Sequence, residues 1–163
     1  NAIVVSFETG LDGLKENRGQ EGGRLAEVVK GHLEDIASLS SRASGASAAS
    51  AAAVEKRLRD QISALLKDDP ALPEDRLAQE VALLVAKGDI REELDRLQAH
   101  VDAARDLLES DEPIGRPFDF LCQEFNREAN TLCSKASDIE LTRLGLDLKA
   151  SIERLREQIQ NIE

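Results

Sequence analysis

The stretch 115-GRPFDFLCQEFNREANTLCSK-135 decides the fold. It opens on a turn signal and then runs for about five helical turns without a breaker. At 100° per residue, Phe118, Leu121, Cys122, Phe125, Ala129 and Leu132 share one arc of about 100°, the width of a core-facing helical stripe. A strand would alternate, and this segment does not. Asp119, Gln123, Asn126 and Asn130 fall within about 60° on one flank, and Glu124 with Glu128 lies on the other. Arg127 stands on the outer side between the two polar stripes.

The same period recurs along the chain. Ile90, Leu94, Leu97, Val101, Ala104 and Leu108 are spaced 4-3-4-3-4, an unbroken heptad seam. Leu141, Leu144, Leu148, Ile152, Leu155, Ile159 and Ile162 line a last helix beginning near Asp138, with Ser137 or Asp138 as its cap. Pro117 is placed to be the first residue of the helix it opens. Upstream, Val5, Leu11, Leu14, Leu25, Val28, Val29, Ile36 and Leu39 predict a long helix from Ile3, weakened by six glycines. The run 43-ASGASAASAAA-53 reads as a flexible connection broken at Ser44-Gly45. A second helix from about Val54 to Lys67 ends at 68-DDPALPED-75, and a third runs from Glu74 and Asp75 to Ser110 with a bend at Gly88. The predicted fold class is all-α, with long antiparallel helices in a bundle or coiled-coil-like assembly. The two long seams, 90–108 and 148–162, each exceed what one short neighbour covers, so a chain that is at least dimeric is expected.

Composition narrows the class. The chain has 163 residues, 33% charged and 41% hydrophobic, with four Phe and no Trp, Tyr or Met. A net charge of −11 argues against a basic nucleic-acid binder and leaves little aromatic surface for base stacking. Cys122 and Cys133 lie eleven residues apart along one helix, too far along its axis for a disulfide. They read as small buried hydrophobes in a reducing, cytoplasmic compartment. No apolar run approaches membrane-spanning length, and no cysteine- or histidine-rich spacing points to structural zinc. Asn1-Ala2 reads as a tag remnant ahead of a piece of a larger protein beginning at Ile3.

Three groups of residues bear on chemistry. Glu124 and Glu128, at i and i+4, carry carboxylates close enough to share a divalent cation or a water; the plainer reading is a solvated pair neutralised by Arg127 and Arg116. Asp119 and, from the preceding helix, Glu80 and Glu93 are further candidates for metal ligands. His100 stands two turns after Glu93 and one after Arg96, beside the heptad seam, where it is a candidate general acid or base. A histidine hydrogen-bonded at a helix interface is the plainer reading of that position. Asn126 and Asn130 sacrifice helix propensity for no local gain, so the stripe of Asp119, Gln123, Asn126 and Asn130 is expected to be partly buried and paired, at a helix interface or lining a groove.

The combination of 115-GRPFDFLCQEFNREANTLCSKASDIEL-141, 77-LAQEVALLVAKGDIREELDRLQAHV-101 and 149-KASIERLREQIQNIE-163 resembles the C-terminal half of the YicC/YloC family of bacterial proteins. The similarity is close over 74–163 and loose before it. It implies a helical C-terminal domain over 3–163, with 3–53 as a long helix plus the Ala/Ser-rich connection and 54–163 as the core. It also implies a metal-dependent endoribonuclease, cleaving single-stranded RNA with manganese or magnesium as a clamp-like homo-oligomer, hexameric when full-length. On that resemblance Glu124, Glu128 and His100 are the catalytic candidates. Arg116, Gln123, Asn126, Arg127, Asn130 and Lys135 are the candidates for holding RNA. The chain departs from the family at Pro117, where arginine or lysine is common. The rival class is a non-catalytic helical oligomerisation or docking module. An enzyme would bring Glu124, Glu128 and His100 to one cleft, whereas a scaffold would bury the amides and scatter the carboxylates.

Overall fold

A computed structural model of the chain describes residues 2–68, 79, 82–83, 86–110, 112–136 and 138–160. Its elements are α1 (Ala2–Asp68), α2 (Arg91–Leu108), α3 (Gly115–Lys135) and α4 (Ile139–Gln160). No strand occurs among the described residues, and the fold is all-α. The prolines at 70 and 73, the acids at 74, 75 and 80, Ser137 and Ile162 lie outside the described residues.

The break expected at Ser44-Gly45 is absent. α1 passes through 43–53 as one helix of 67 residues, about 100 Å long at 1.5 Å per residue. Alanine, the best helix former, fills seven of those eleven positions, and Ala43 is seated in the core. A single glycine, costing about 1 kcal/mol, does not break such a run.

The other termini follow local chemistry. A turn at Gly88 ends the preceding segment, and Asp89 accepts from the Arg91 backbone N–H at 3.0 Å as α2 begins. α3 starts two residues earlier than expected, at Gly115. Pro117 therefore sits third in the helix, still inside the first turn, where no N–H has an intrahelical partner. Asp138 is the cap of α4: its carboxylate accepts from the Leu141 N–H at 2.9 Å.

Each of α1 and α3 packs against both α2 and α4, so the four helices enclose one core. α2 and α3 are antiparallel, since Glu93 meets Lys135 while Arg96 meets Glu128. α3 and α4 are antiparallel as well, Gly145 lying against Cys133 and Cys122 within the electrostatic reach of Arg156. Ile90, Leu94, Leu97, Val101 and Ala104 of the heptad seam are buried, as are Leu141, Leu144, Leu148, Ile152, Leu155 and Ile159 of α4. Val29, Leu33, Ile36 and Ala43 close the core from α1, around fully buried Phe118 and Phe125. These seams are filled from within the chain, so they no longer require a second copy. The first turns of α1 are different: Ile3, Val4, Val5, Phe7, Leu11 and Leu14 are all exposed. Among the described residues no helix is long and apolar enough to cross a membrane.

Candidate functional site

The site lies on the antiparallel seam between α2 and α3, where polar side chains form a row beside the core. Glu128 and Glu124 come from the non-amide flank of α3, and His100 comes from the edge of the α2 heptad seam. Packing brings them together: one donor atom from each of His100, Glu124 and Glu128 lies within 4.8 Å of the other two. Glu128 is buried at 2% exposure, while His100 and Glu124 are half-buried. Phe125, one residue after Glu124, stands edge-on to the His100 ring with centroids 5.8 Å apart. This contact fixes the imidazole from its apolar side.

Two arginines set the charge around the cluster, one of them from across the seam. Arg96, one turn before His100, reaches across the seam to Glu128 at 3.4 Å and along its own helix to Glu92. The Glu128 hydrogen bond, followed by the charges of Glu92 and Glu128, raises the Arg96 pKa above its usual value. Arg127 pairs with Glu124 at 3.2 Å. His100 Nε2 is buried and has no hydrogen-bond partner. A histidine with a buried, unpartnered ring nitrogen and a donor atom close to two carboxylates is an incomplete polar site.

The remaining predicted residues are distributed differently. Glu93 is buried but stands outside the cluster: it pairs with Lys135 at 2.8 Å, and Lys135 also donates to the Asp89 carbonyl at 3.1 Å. Lys135 is therefore occupied as a structural counter-ion to Glu93. Asp119 accepts from the Gln123 side chain at 2.9 Å on the opposite flank of α3, away from Glu124 and Glu128. The amide stripe meets its expectation only in part. Gln123 and Asn130 are exposed, and Asn126 is half-buried with its amide on the Cys122 carbonyl at 3.3 Å. Asn126 is thus partly buried and paired as expected, but by its own helix, and an amide satisfied there needs no interhelical partner. Arg116 is exposed, and Glu80 lies outside the described residues. Sequence reading missed Arg96 and Phe125 as members of the site. The i, i+4 spacing of Arg96 and His100 was the available signal for the first.

Both cysteines are free thiols, Cys122 buried and Cys133 half-buried. Burial, reinforced by the nearby Asp119 charge, pushes the Cys122 thiol up to about 11. It is a packing residue and not a nucleophile. An open groove between α1 and α4 is lined by Asp35, Ser38, Arg42, Asp147, Ser151 and Arg154, with acids and bases balanced and no histidine.

The histidine and two carboxylates form a donor set suited to a cation. Magnesium-sized ions take oxygen ligands at about 2.0–2.1 Å, so opposite ligands stand roughly 4.2 Å apart. The 4.8 Å span needs only a small closure to match that, and the group could hold a metal ion. Fold and site together define an antiparallel helical domain with a histidine–dicarboxylate cluster on one seam. The family model described as "Endoribonuclease YicC-like, C-terminal" matches residues 43–163. The chain is 41% identical over 165 residues to "Probable endoribonuclease YicC" of Clostridioides difficile (strain 630), covering 97% of this chain and 54% of that protein. It is 36% identical over 162 residues to the protein of the same name from Haemophilus influenzae (strain ATCC 51907 / DSM 11121 / KW20 / Rd), covering 99% of this chain and 55% of that one. The chain belongs to the YicC family of endoribonucleases. It spans about half the length of the curated relatives it matches.

Proposed function

We propose that the chain carries the cation-holding catalytic cluster of an endoribonuclease that cleaves single-stranded RNA in the cytoplasm, with manganese or magnesium, as a clamp-like homo-oligomer that is hexameric when full-length. The observation that carries this reading is the meeting of His100, Glu124 and Glu128 across the α2–α3 seam. The three residues are a helical turn or more apart on two different helices, and a solvated acidic face has no reason to converge on a histidine.

Glu124 and Glu128 would hold the cation, with a ring nitrogen of His100 as the third donor. A divalent ion bound there supplies Lewis acidity and a water more acidic than bulk water. The protein's part is positioning. Phe125 packs edge-on against the His100 ring and helps hold it beside the carboxylates. Burial of Glu128 keeps its charge little screened by water, which strengthens its hold on a cation. Arg96 and Arg127, both partly exposed at the rim, give a phosphate diester two cations next to the cluster. They also resolve the mismatch between a chain of net charge −11 and a polyanion, because only the local field at the cleft has to be favourable. Arg116, Gln123 and Asn130 are exposed on α3, with the half-buried Asn126 beside them, to meet 2′-hydroxyls and phosphates.

The test is an RNA cleavage assay comparing the full-length protein, this chain alone and full-length Glu124→Gln, with and without manganese. Cleavage is expected to need the metal and to fall by orders of magnitude in Glu124→Gln, with RNA binding and oligomer size nearly unchanged. This chain alone is expected to be weak or inactive, because any group the rest of the protein supplies is missing. A fully active Glu124→Gln protein would refute the reading and favour a docking module with its chemistry elsewhere.

A further inference from the structure

The N-terminal arm of α1 has an apolar face and nothing to put it against. At 100° per residue Ile3, Val4, Phe7, Leu11 and Leu14 share an arc of about 100°, the stripe of a helix built to face a core. It is also the face that Val29, Leu33 and Ile36 present to the bundle further along. Yet Ile3 is 86% exposed and Phe7 70% exposed, while Val29, Leu33 and Ile36 are fully buried. The arm from Ala2 to Val28 extends roughly 40 Å along the helix axis. A Cβ added at Gly10, Gly13, Gly19, Gly22 or Gly23 would meet nothing within 4 Å. Each of those glycines weakens the helix by up to about 1 kcal/mol, a cost that close packing against a partner offsets.

We infer that this stripe is the seat of the remainder of the full-length polypeptide, the region that the relatives possess beyond the length matched here. Two comparisons point to that occupant. The relatives match 97% and 99% of this chain, so the arm is shared with them, yet the C-terminal family model begins only at residue 43. The arm thus lies outside the C-terminal unit while forming one helix with it. The matched region is 54% and 55% of those relatives, which leaves nearly half of each to cover the stripe. A second copy of the arm is the poorer occupant. The stripe spans about three turns, short of the three to four heptads a coiled coil needs. Arg18 and Glu21 interrupt the same face before Leu25 resumes it.

Hydrogen exchange on this chain and on the full-length polypeptide tests the inference. Amides of residues 2–24 are expected to exchange rapidly in the chain alone and at least roughly 100-fold more slowly in the full-length protein. Lysine cross-linking supplies a readout that does not depend on any substitution. Lys15 is expected to link to residues outside this chain within the same polypeptide, as shown by mixing light and heavy isotopic forms. Leu11→Asp is expected to abolish the added protection while leaving residues 29–43 as protected as before, and Leu11→Ala to reduce it partially. An arm that exchanges equally fast in both proteins would overturn the inference. So would protection in the chain alone that rises with concentration, or Lys15 links that join only light to heavy copies.

Discussion

Arg96→Ala separates the role of the cluster in the fold from its proposed role as a cation site. Glu128 has a side chain only 3% exposed, and its cross-helix counter-charge is an arginine whose side chain is 46% exposed. Removing one partner of a fully buried pair costs roughly 3–5 kcal/mol. Water reaches the arginine and the contact is long at 3.4 Å, so a cost of about 1–2 kcal/mol is expected here. At about 2–4 °C per kcal/mol for a chain of this size, Tm is expected to fall by about 2–8 °C in metal-free buffer. Bound cation then changes the comparison. A metal at a hundred times its Kd stabilises the wild type by about 2.7 kcal/mol. In the variant the uncompensated Glu128 carboxylate gains more from the cation, by roughly what the arginine no longer supplies. The Tm difference between wild type and Arg96→Ala is therefore expected to close as manganese is titrated, in a calorimetric or fluorescence melt. A difference that stays constant across the titration would refute this reasoning, as would a cation that shifts neither melt.

Three further outcomes follow from packing and charge. Gly145→Ala is expected to destabilise the bundle by about 1–2 kcal/mol in a urea melt, the overpacking exceeding the gain in helix propensity. The added Cβ would stand 2.5 Å from Cys133 Sγ, so Cys133→Ala should restore most of the loss. Gly45→Ala, with nothing within 4 Å of the new methyl, is expected to raise stability by about 0.5–1 kcal/mol; a loss would restore the hinge at that position. The Cys122 thiol is raised from 9.0 to about 11, so it favours the folded state fully below pH 9 and loses that contribution as pH rises towards 11. Native protein at pH 8 is expected to react with a thiol reagent at Cys133 well before Cys122, by peptide mass mapping.

The helices were legible where burial imposes a period. The 90–104 seam and the 141–159 seam are both core faces, because a helix that buries one side must repeat its apolar residues every three to four positions. His100, Glu124 and Glu128 were legible as residue types on known flanks, and antiparallel pairing of α2 and α3 did the rest. What stayed hidden was nonlocal or a matter of summed small terms. Glu93 and Lys135 are 42 residues apart, so no local pattern announces that each is the other's partner. Ser44-Gly45 resembles a break to a local rule, but the surrounding alanines and the buried Ala43 outweigh it. Asn126 points to an interface or a groove because asparagine costs helix propensity and its amide needs a partner. Its own helix supplies one at Cys122, which the sequence does not distinguish from a cross-helix bond.

The polar row along α2 and α3 has one more consequence, for how the chain finds its alignment. Leucine faces are tolerant: sliding one helix past another by a turn exchanges leucine for leucine at little cost. Along this seam the order is Glu93 against Lys135, then Arg96 against Glu128. A slip of one turn that carries Lys135 to Arg96 sets cation against cation and leaves the buried Glu93 carboxylate without its partner. The row therefore acts as a keyed edge. It adds little to the depth of the native well and much to the separation from its neighbours, so that the helices that carry His100 and Glu128 seat in the one alignment where those residues meet.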